Sequence, residues 1–156
     1  MQYEKLLKEA ASLGVQVYEK NLRGQIKGLY SDNVIWLNKS LSTNTDKYCT
    51  LAEELGHYHT SAGDILDQNS ITNRKQEKRA RNWAYKKLVP LNKIVQAHKQ
   101  HVKNNYELAE FLGVTEQFLE EALERYRGKF GDTVSYGGYV ICFNPLGVVD
   151  WFEDHV

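Results

Sequence analysis

The chain is 156 residues long, 42% hydrophobic and 26% charged, the size and composition of a domain that buries its own core. Twenty Lys and Arg balance twenty Asp and Glu, so the net charge makes no case for a nucleic-acid or membrane-surface protein. Cys49 and Cys142 stand far apart in no metal-like spacing, which excludes a disulfide scaffold and a cysteine-based zinc module and makes a reducing, cytoplasmic compartment the expectation.

The N-terminal stretch MQYEKLLKEAASLG carries charges throughout and lacks the apolar run and cleavage site of a signal peptide. Leu6, Leu7, Ala10, Ala11 and Leu13 predict one face of a helix that Gly14 ends. Val15 to Tyr18 reads as a short strand, and Gln25 to Leu37 as a hairpin turning at Ser31-Asp32-Asn33, together a small antiparallel sheet. Helical spacing runs from about Asn44 to Ala62, then from about Thr72 to Leu88, where Ala80, Trp83, Ala84 and Leu88 form the apolar stripe and Pro90 stops the helix. Leu91 to Val102, Asn105 to Leu112 and Thr115 to Arg127 predict three more helices. The tail returns to strands, with a turn at Gly137-Gly138 and a last strand at Val148 to Phe152. No window approaches the about 18 apolar residues of a membrane span.

The chemistry-bearing stretch is Leu51-Ala52-Glu53-Glu54-Leu55-Gly56-His57-Tyr58-His59. Positions i and i+4 of a helix share a face, so H-E-x-x-H can clamp a zinc ion while its Glu acts on the metal-bound water. Here the frame is E-E-x-x-H: Glu53 and His57 take the ligand positions and Glu54 that of the general base. Alone, the frame equally suits a solvated helix face. On the next helix Glu77 is the one carboxylate among Arg74, Lys75, Lys78, Arg79 and Arg81, and salt bridging to those neighbours is its simplest reading.

Taken together, Thr50 to Tyr58 followed by Glu77-x-x-Ala80-x-x-Trp83-Ala84-x-x-x-Leu88-x-Pro90 resembles the ImmA/IrrE family of metallopeptidases. The resemblance covers roughly Met1 to Pro90. It implies an α+β, zincin-like minimal metallopeptidase domain, with a small antiparallel sheet packed on helices. One domain is expected over 1–156, with 1–90 as peptidase core and 91–156 as a helical and β extension.

Carried onto this sequence, the resemblance makes His57 and Glu77 metal ligands, Glu54 the general base and Glu53 the occupant of the first ligand position. It implies Zn²⁺ as cofactor and a helix-turn-helix repressor of a phage or mobile element as substrate or partner, cleaved in an anti-repressor role. Glu53 departs from the family's histidine: two carboxylates neutralise the ion, weaken it as a Lewis acid and shift preference towards Mn²⁺ or Fe²⁺. The same departure suits a catalytically silent module that only binds the repressor. His59, two residues past His57, faces away on a continuing helix, and Asp64 follows a Gly; either would act behind the ligands, orienting a ring, or serve as surface and cap. Tyr58 and Tyr85 are the candidates for stabilising an oxyanion.

Glu107 to Arg125 has a helix-turn-helix rhythm, but Glu116, Glu120, Glu121 and Glu124 would repel phosphates, so no direct nucleic-acid contact is expected. Arg74 to Lys103 holds ten basic residues against Glu77 alone, a block able to steer an acidic protein segment towards the cleft or to touch nucleic acid weakly. His98 and His101 at i and i+3 read as surface residues, and Trp36, Trp83 and Trp151 as core. The Gln25 to Leu37 pair reads first as sheet structure; the resemblance to zincin-like peptidases implies that its edge also holds an extended substrate by strand addition.

Overall fold

The computed structural model describes residues 1–61 and 70–150, with side chains from residue 73 onward in the second stretch. The fold is α+β, and its contacts divide the chain into two units, Met1–Lys87 and Leu88–Val156. No helix among the described residues is long and apolar enough to cross a membrane.

The first unit opens with α1 (Gln2–Ser12), which buries Tyr3, Leu6 and Ala10, positions three and four apart that share a helix face. Strands β1 (Gln16–Lys20), β2 (Gly28–Ser31) and β3 (Val34–Asn38) form one sheet in the order β1-β3-β2. The β2–β3 turn places Asp32 and Asn33 at φ +48° and +64°, the backbone twist that two-residue hairpins favour. The sheet is mixed, which corrects the antiparallel expectation: β1 runs parallel to β3, from Gln16 on Val34 to Lys20 on Asn38. The reason is the 21–27 loop, which carries the chain to the far edge, so that β3 returns between the other two in the direction of β1. Buried Asn38 ties that loop down, its Nδ2 donating to the carbonyls of Ile26 at 2.7 Å and Leu22 at 3.3 Å.

Helix α2 (Asn44–Thr60) starts where the hydroxyl of Thr43 accepts the Asp46 amide at 3.0 Å, satisfying one of the otherwise orphaned N–H groups of a first turn. It lies on β2 and β3 and buries Leu51, Ala52 and Leu55. Helix α3 (Ser70–Leu88) turns Ala80 and Ala84 inward. At Gly56 the two helices meet backbone to backbone, because an added Cβ would overlap the carbonyl oxygen of Ala80.

The second unit comprises α4 (Leu91–Lys99), α5 (Asn105–Leu112) and α6 (Glu116–Phe130), then the antiparallel sheet β4 (Thr133–Tyr136), β5 (Tyr139–Phe143) and β6 (Leu146–Asp150). Asn104 and Thr115 cap α5 and α6 through their side chains, and Gly113 turns between them at φ +75°. Ile94, Leu112, Leu119 and Ile141 fill this core, and the Tyr126 hydroxyl donates to the Val89 carbonyl at 2.8 Å.

Three local expectations change. Helix α4 stops at Lys99 instead of Val102, because His101 adopts φ +64° and the Val102 amide folds back onto the Ala97 carbonyl at 3.0 Å; His98 and His101 therefore do not share a helix. The last strand begins at Leu146 rather than Val148. Trp36 and Trp83 are half-buried instead of core residues, while Trp151 lies outside the described residues.

Candidate active site

The middle of α2 carries Glu53, Glu54 and His57, and α3 presents Glu77 to them. The Nε2–H of His57 donates to Oε1 of Glu77 across 3.1 Å. That bond is the main reason the imidazole is pushed above its ordinary pKa of 6.5, against the opposing effect of burial. The same bond, helped by the charges of His57 and Arg81, holds the Glu77 carboxyl below its ordinary value. The backbone contact at Gly56 lies one residue before His57, and Ala80 lies one turn after Glu77, so the close helix crossing sets the reach between the two side chains.

Glu54 faces a drier setting. Burial pushes its carboxyl from 4.5 up to about 7; the charge of His57 pulls the other way, while Glu77 and Glu53 add smaller upward effects. The neighbour that dries it is β2. A Cβ placed on Gly28 would stand 2.9 Å from Cγ2 of Thr50 and 3.1 Å from Cγ of Glu54, so the strand's lack of a side chain there lets it lie against the Glu54 stem. A carboxyl with its pKa near 7 can both take and return a proton at neutral pH. Burial beside like charges is one of the ordinary ways proteins reach that value.

An aromatic row borders the site. The ring of Tyr30, on edge strand β2, lies parallel to His57 at 6.5 Å and tilted to Tyr58 at 6.4 Å. Tyr58 meets His59 at 5.0 Å, and His59 stacks on Trp83 at 4.4 Å. Helix α2 continues to Thr60, so His59 is turned towards Trp83 on the exposed side, and burial lowers its pKa. Tyr85 is buried, and Asp64 lies outside the described residues.

The structure thus brings together His57 and Glu77, with Glu54 alongside. Glu53 sits one helical turn before His57, yet among the described residues no three His, Cys, Asp or Glu side chains converge into a group that could hold a metal ion. Sequence reasoning missed Gly28, Tyr30 and the Gly56–Ala80 contact. Glycine inside a strand or helix pattern is a signal of close backbone approach, and it stood at positions 28 and 56.

A divalent ion tests the donor set. Zinc takes imidazole nitrogen and carboxylate oxygen at about 2.0–2.2 Å, which places two tetrahedral ligands about 3.3 Å apart. The 3.1 Å between Nε2 of His57 and Oε1 of Glu77 matches that span. The pair therefore fits two ligand positions of one ion, with Glu53 as the nearest candidate for a third.

The family model for peptidase family M78, described as the IrrE N-terminal-like domain, matches residues 10–124. No relative among curated proteins matches the chain.

Proposed function

The chain belongs to the peptidase family M78, the IrrE N-terminal-like group, and from that premise we propose that it is a metal-dependent endopeptidase that cleaves a helix-turn-helix repressor of a phage or mobile element. The observation that carries the reading is Glu54, a half-buried carboxyl pushed to about 7 beside the His57–Glu77 pair. His57 and Glu77 would hold the ion, with Glu53 completing the set; Zn²⁺ is the first candidate and Mn²⁺ or Fe²⁺ the alternatives that an oxygen-rich set favours. The bound metal supplies a Lewis acid that activates water and polarises the scissile carbonyl.

The remaining work falls to the chain. Glu54 accepts the proton of the attacking water and returns it to the departing amine, both within reach of one carboxyl. The edge strand β2 offers its outer backbone N–H and C=O groups to an extended substrate. Gly28 brings that edge onto α2 at Glu54, so a segment added to β2 runs past the catalytic carboxyl. Tyr30 borders the same path and Tyr58 is the oxyanion candidate nearest to it. The motif pair on α2 and α3 supports the repressor as substrate through the family resemblance, and a cytoplasmic location follows from that substrate.

Incubating the metal-loaded protein with the repressor encoded beside it tests the reading. Specific cleavage lost in Glu54→Gln is the expected outcome. No cleavage with Zn²⁺, Mn²⁺ or Fe²⁺, or cleavage that survives Glu54→Gln, refutes it.

A second reading has its own support. Glu53 stands in the first ligand position where the family carries a histidine, a departure that suits a catalytically silent module that binds the repressor. Repressor binding without cleavage, unchanged by a chelator, would favour it.

A further inference from the structure

Helix α3 carries the site's Glu77 and, apart from it, no acidic residue. That one carboxylate is turned to His57. The opposite side of the helix is cationic. Lys75, Lys78, Arg79 and Lys86 are all exposed, and at 100° per residue they fall on one outward stripe, with Ala80 and Ala84 on the buried side. The stripe spans twelve residues, roughly 16 Å of helix from first to last, the length of about five residues of extended chain. Arg81, also exposed, sits one turn beyond Glu77 and lies near enough to help hold the Glu77 carboxyl ionised. Lys78 and Arg81, about 60° apart around the helix and both exposed, carry positive charge from the outer face of α3 round towards Glu77.

We propose that this cationic face of α3 binds an acidic stretch of the protein substrate and so selects which peptide bond lies over Glu54 and His57. The proposal rests on the peptidase reading and adds a substrate class to it: segments with several Asp or Glu close to the cleaved bond. Lysines along the stripe act as screened point charges, and the Arg79 and Arg81 guanidiniums can each take a carboxylate in two parallel hydrogen bonds. Five or so extended residues with carboxylates on alternate positions match the length of the stripe. An acidic peptide is the occupant that the peptidase reading brings to this face, because a protein segment held at Glu54 and His57 can continue past Arg81 and Lys78 onto the stripe, carrying its acidic residues there and a neutral bond at the site.

Fluorescence anisotropy with three labelled dodecapeptides tests this, in which Ser alternates with Glu, with Gln or with Lys, alongside a labelled 12-base-pair DNA duplex. The proteins are wild type, Lys75→Gln/Lys78→Gln/Arg79→Gln, the corresponding triple Glu variant, and Glu54→Gln, each checked for native circular dichroism. The Glu peptide should bind wild type and Glu54→Gln at least tenfold more tightly than the Gln peptide at low salt, lose about tenfold in the triple Gln variant, and weaken as salt rises. A Lys-containing peptide should bind the triple Glu variant better than it binds wild type. Equal binding of Glu and Gln peptides, or a Glu preference that survives the triple substitutions, overturns the proposal. Tighter binding of the duplex than of the Glu peptide, weakened by the same substitutions, overturns it in favour of a phosphate-binding face. Because Glu54→Gln is read by binding alone, a protein that binds the Glu peptide selectively and cuts no repressor would sink the peptidase reading and leave the acidic preference standing. Cleavage with no acidic preference would do the reverse.

Discussion

Replacing Glu54 with Gln should stabilise the metal-free protein, relative to wild type, by more in mild alkali than in mild acid. The carboxyl is raised from 4.5 to about 7 in the folded chain, so the unfolded state loses its proton first. Stability is therefore full below about 4.5 and falls as pH climbs through 7. With these two values, the ionisation penalty is about 1 kcal/mol at pH 5 and about 3 kcal/mol at pH 8. A neutral Gln feels neither. Any cost of fitting the amide is the same at both pH values, so the quantity to measure is the gain at pH 8 minus the gain at pH 5, about 2 kcal/mol. Urea denaturation of both proteins at the two pH values, with a chelator present, measures it directly. Equal gains at pH 5 and pH 8 would refute the claim that β2 keeps this carboxyl dry. Adding Zn²⁺ should shrink the difference, since a cation beside the carboxyl favours its ionised form.

Four further outcomes follow from the same geometry. Gly56→Ala forces a methyl group into the Ala80 carbonyl and should cost about 1–3 kcal/mol or more, with loss of bound metal, read by thermal melting and metal analysis; a stable variant with normal metal content would show that the helix contact is loose. Gly28→Ala places its methyl within 2.9–3.1 Å of Thr50 and Glu54; it should push β2 outward, admit water and cancel most of the pH-dependent gain described for Glu54→Gln. Glu77→Gln removes the partner that raises His57 and is itself held low. Both shifts favour the charged pair between the ordinary values of 4.5 and 6.5, a contribution lost as pH falls through the depressed Glu77 value or rises through the raised His57 value. Glu77 is half-exposed, so the effect on stability should stay within about 1 kcal/mol, and NMR titration of His57 should show its pKa fall. Metal content should drop to background in His57→Ala and Glu77→Ala and fall markedly in Glu53→Ala; stoichiometric metal in all three would place the site elsewhere.

Much of this was open to reading because it is local. The start of α2 at Asn44, the paired positive-φ residues Asp32-Asn33 and Gly137-Gly138, and the apolar spacing of Ala80 and Ala84 each act within a few residues, and each appears where its chemistry puts it. What stayed hidden depends on partners distant in the chain. The parallel pairing of β1 turns on where the 21–27 loop delivers β2, which Asn38 decides through bonds to Leu22 and Ile26. From its neighbours alone Glu77 reads as an acid among bases; the family resemblance set it with His57, and the crossing at Gly56, which sequence does not show, is what brings it there. Tyr30 carries no motif; its place beside His57 comes from the strand that presents it. Trp36 and Trp83 looked like core by residue type alone; Trp36 instead stands on the other face of central strand β3 from buried Ile35 and Leu37, and Trp83 is covered by the ring of His59.

The sheet order also dictates when the pieces can assemble. Every residue of β1 pairs with a residue eighteen positions on, from Gln16 with Val34 to Lys20 with Asn38, while β2 and β3 meet across a two-residue turn. The hairpin can therefore close on its own, but β1 has nothing to join until β3 is in place, and contacts that close long loops form more slowly than local ones. During synthesis, α1 and β1 leave the ribosome ahead of any strand they can bind. The strand that lies over Glu54 thus belongs to the early-forming part of the sheet, and the Glu54 carboxyl can lose its water before the N-terminal strand has docked.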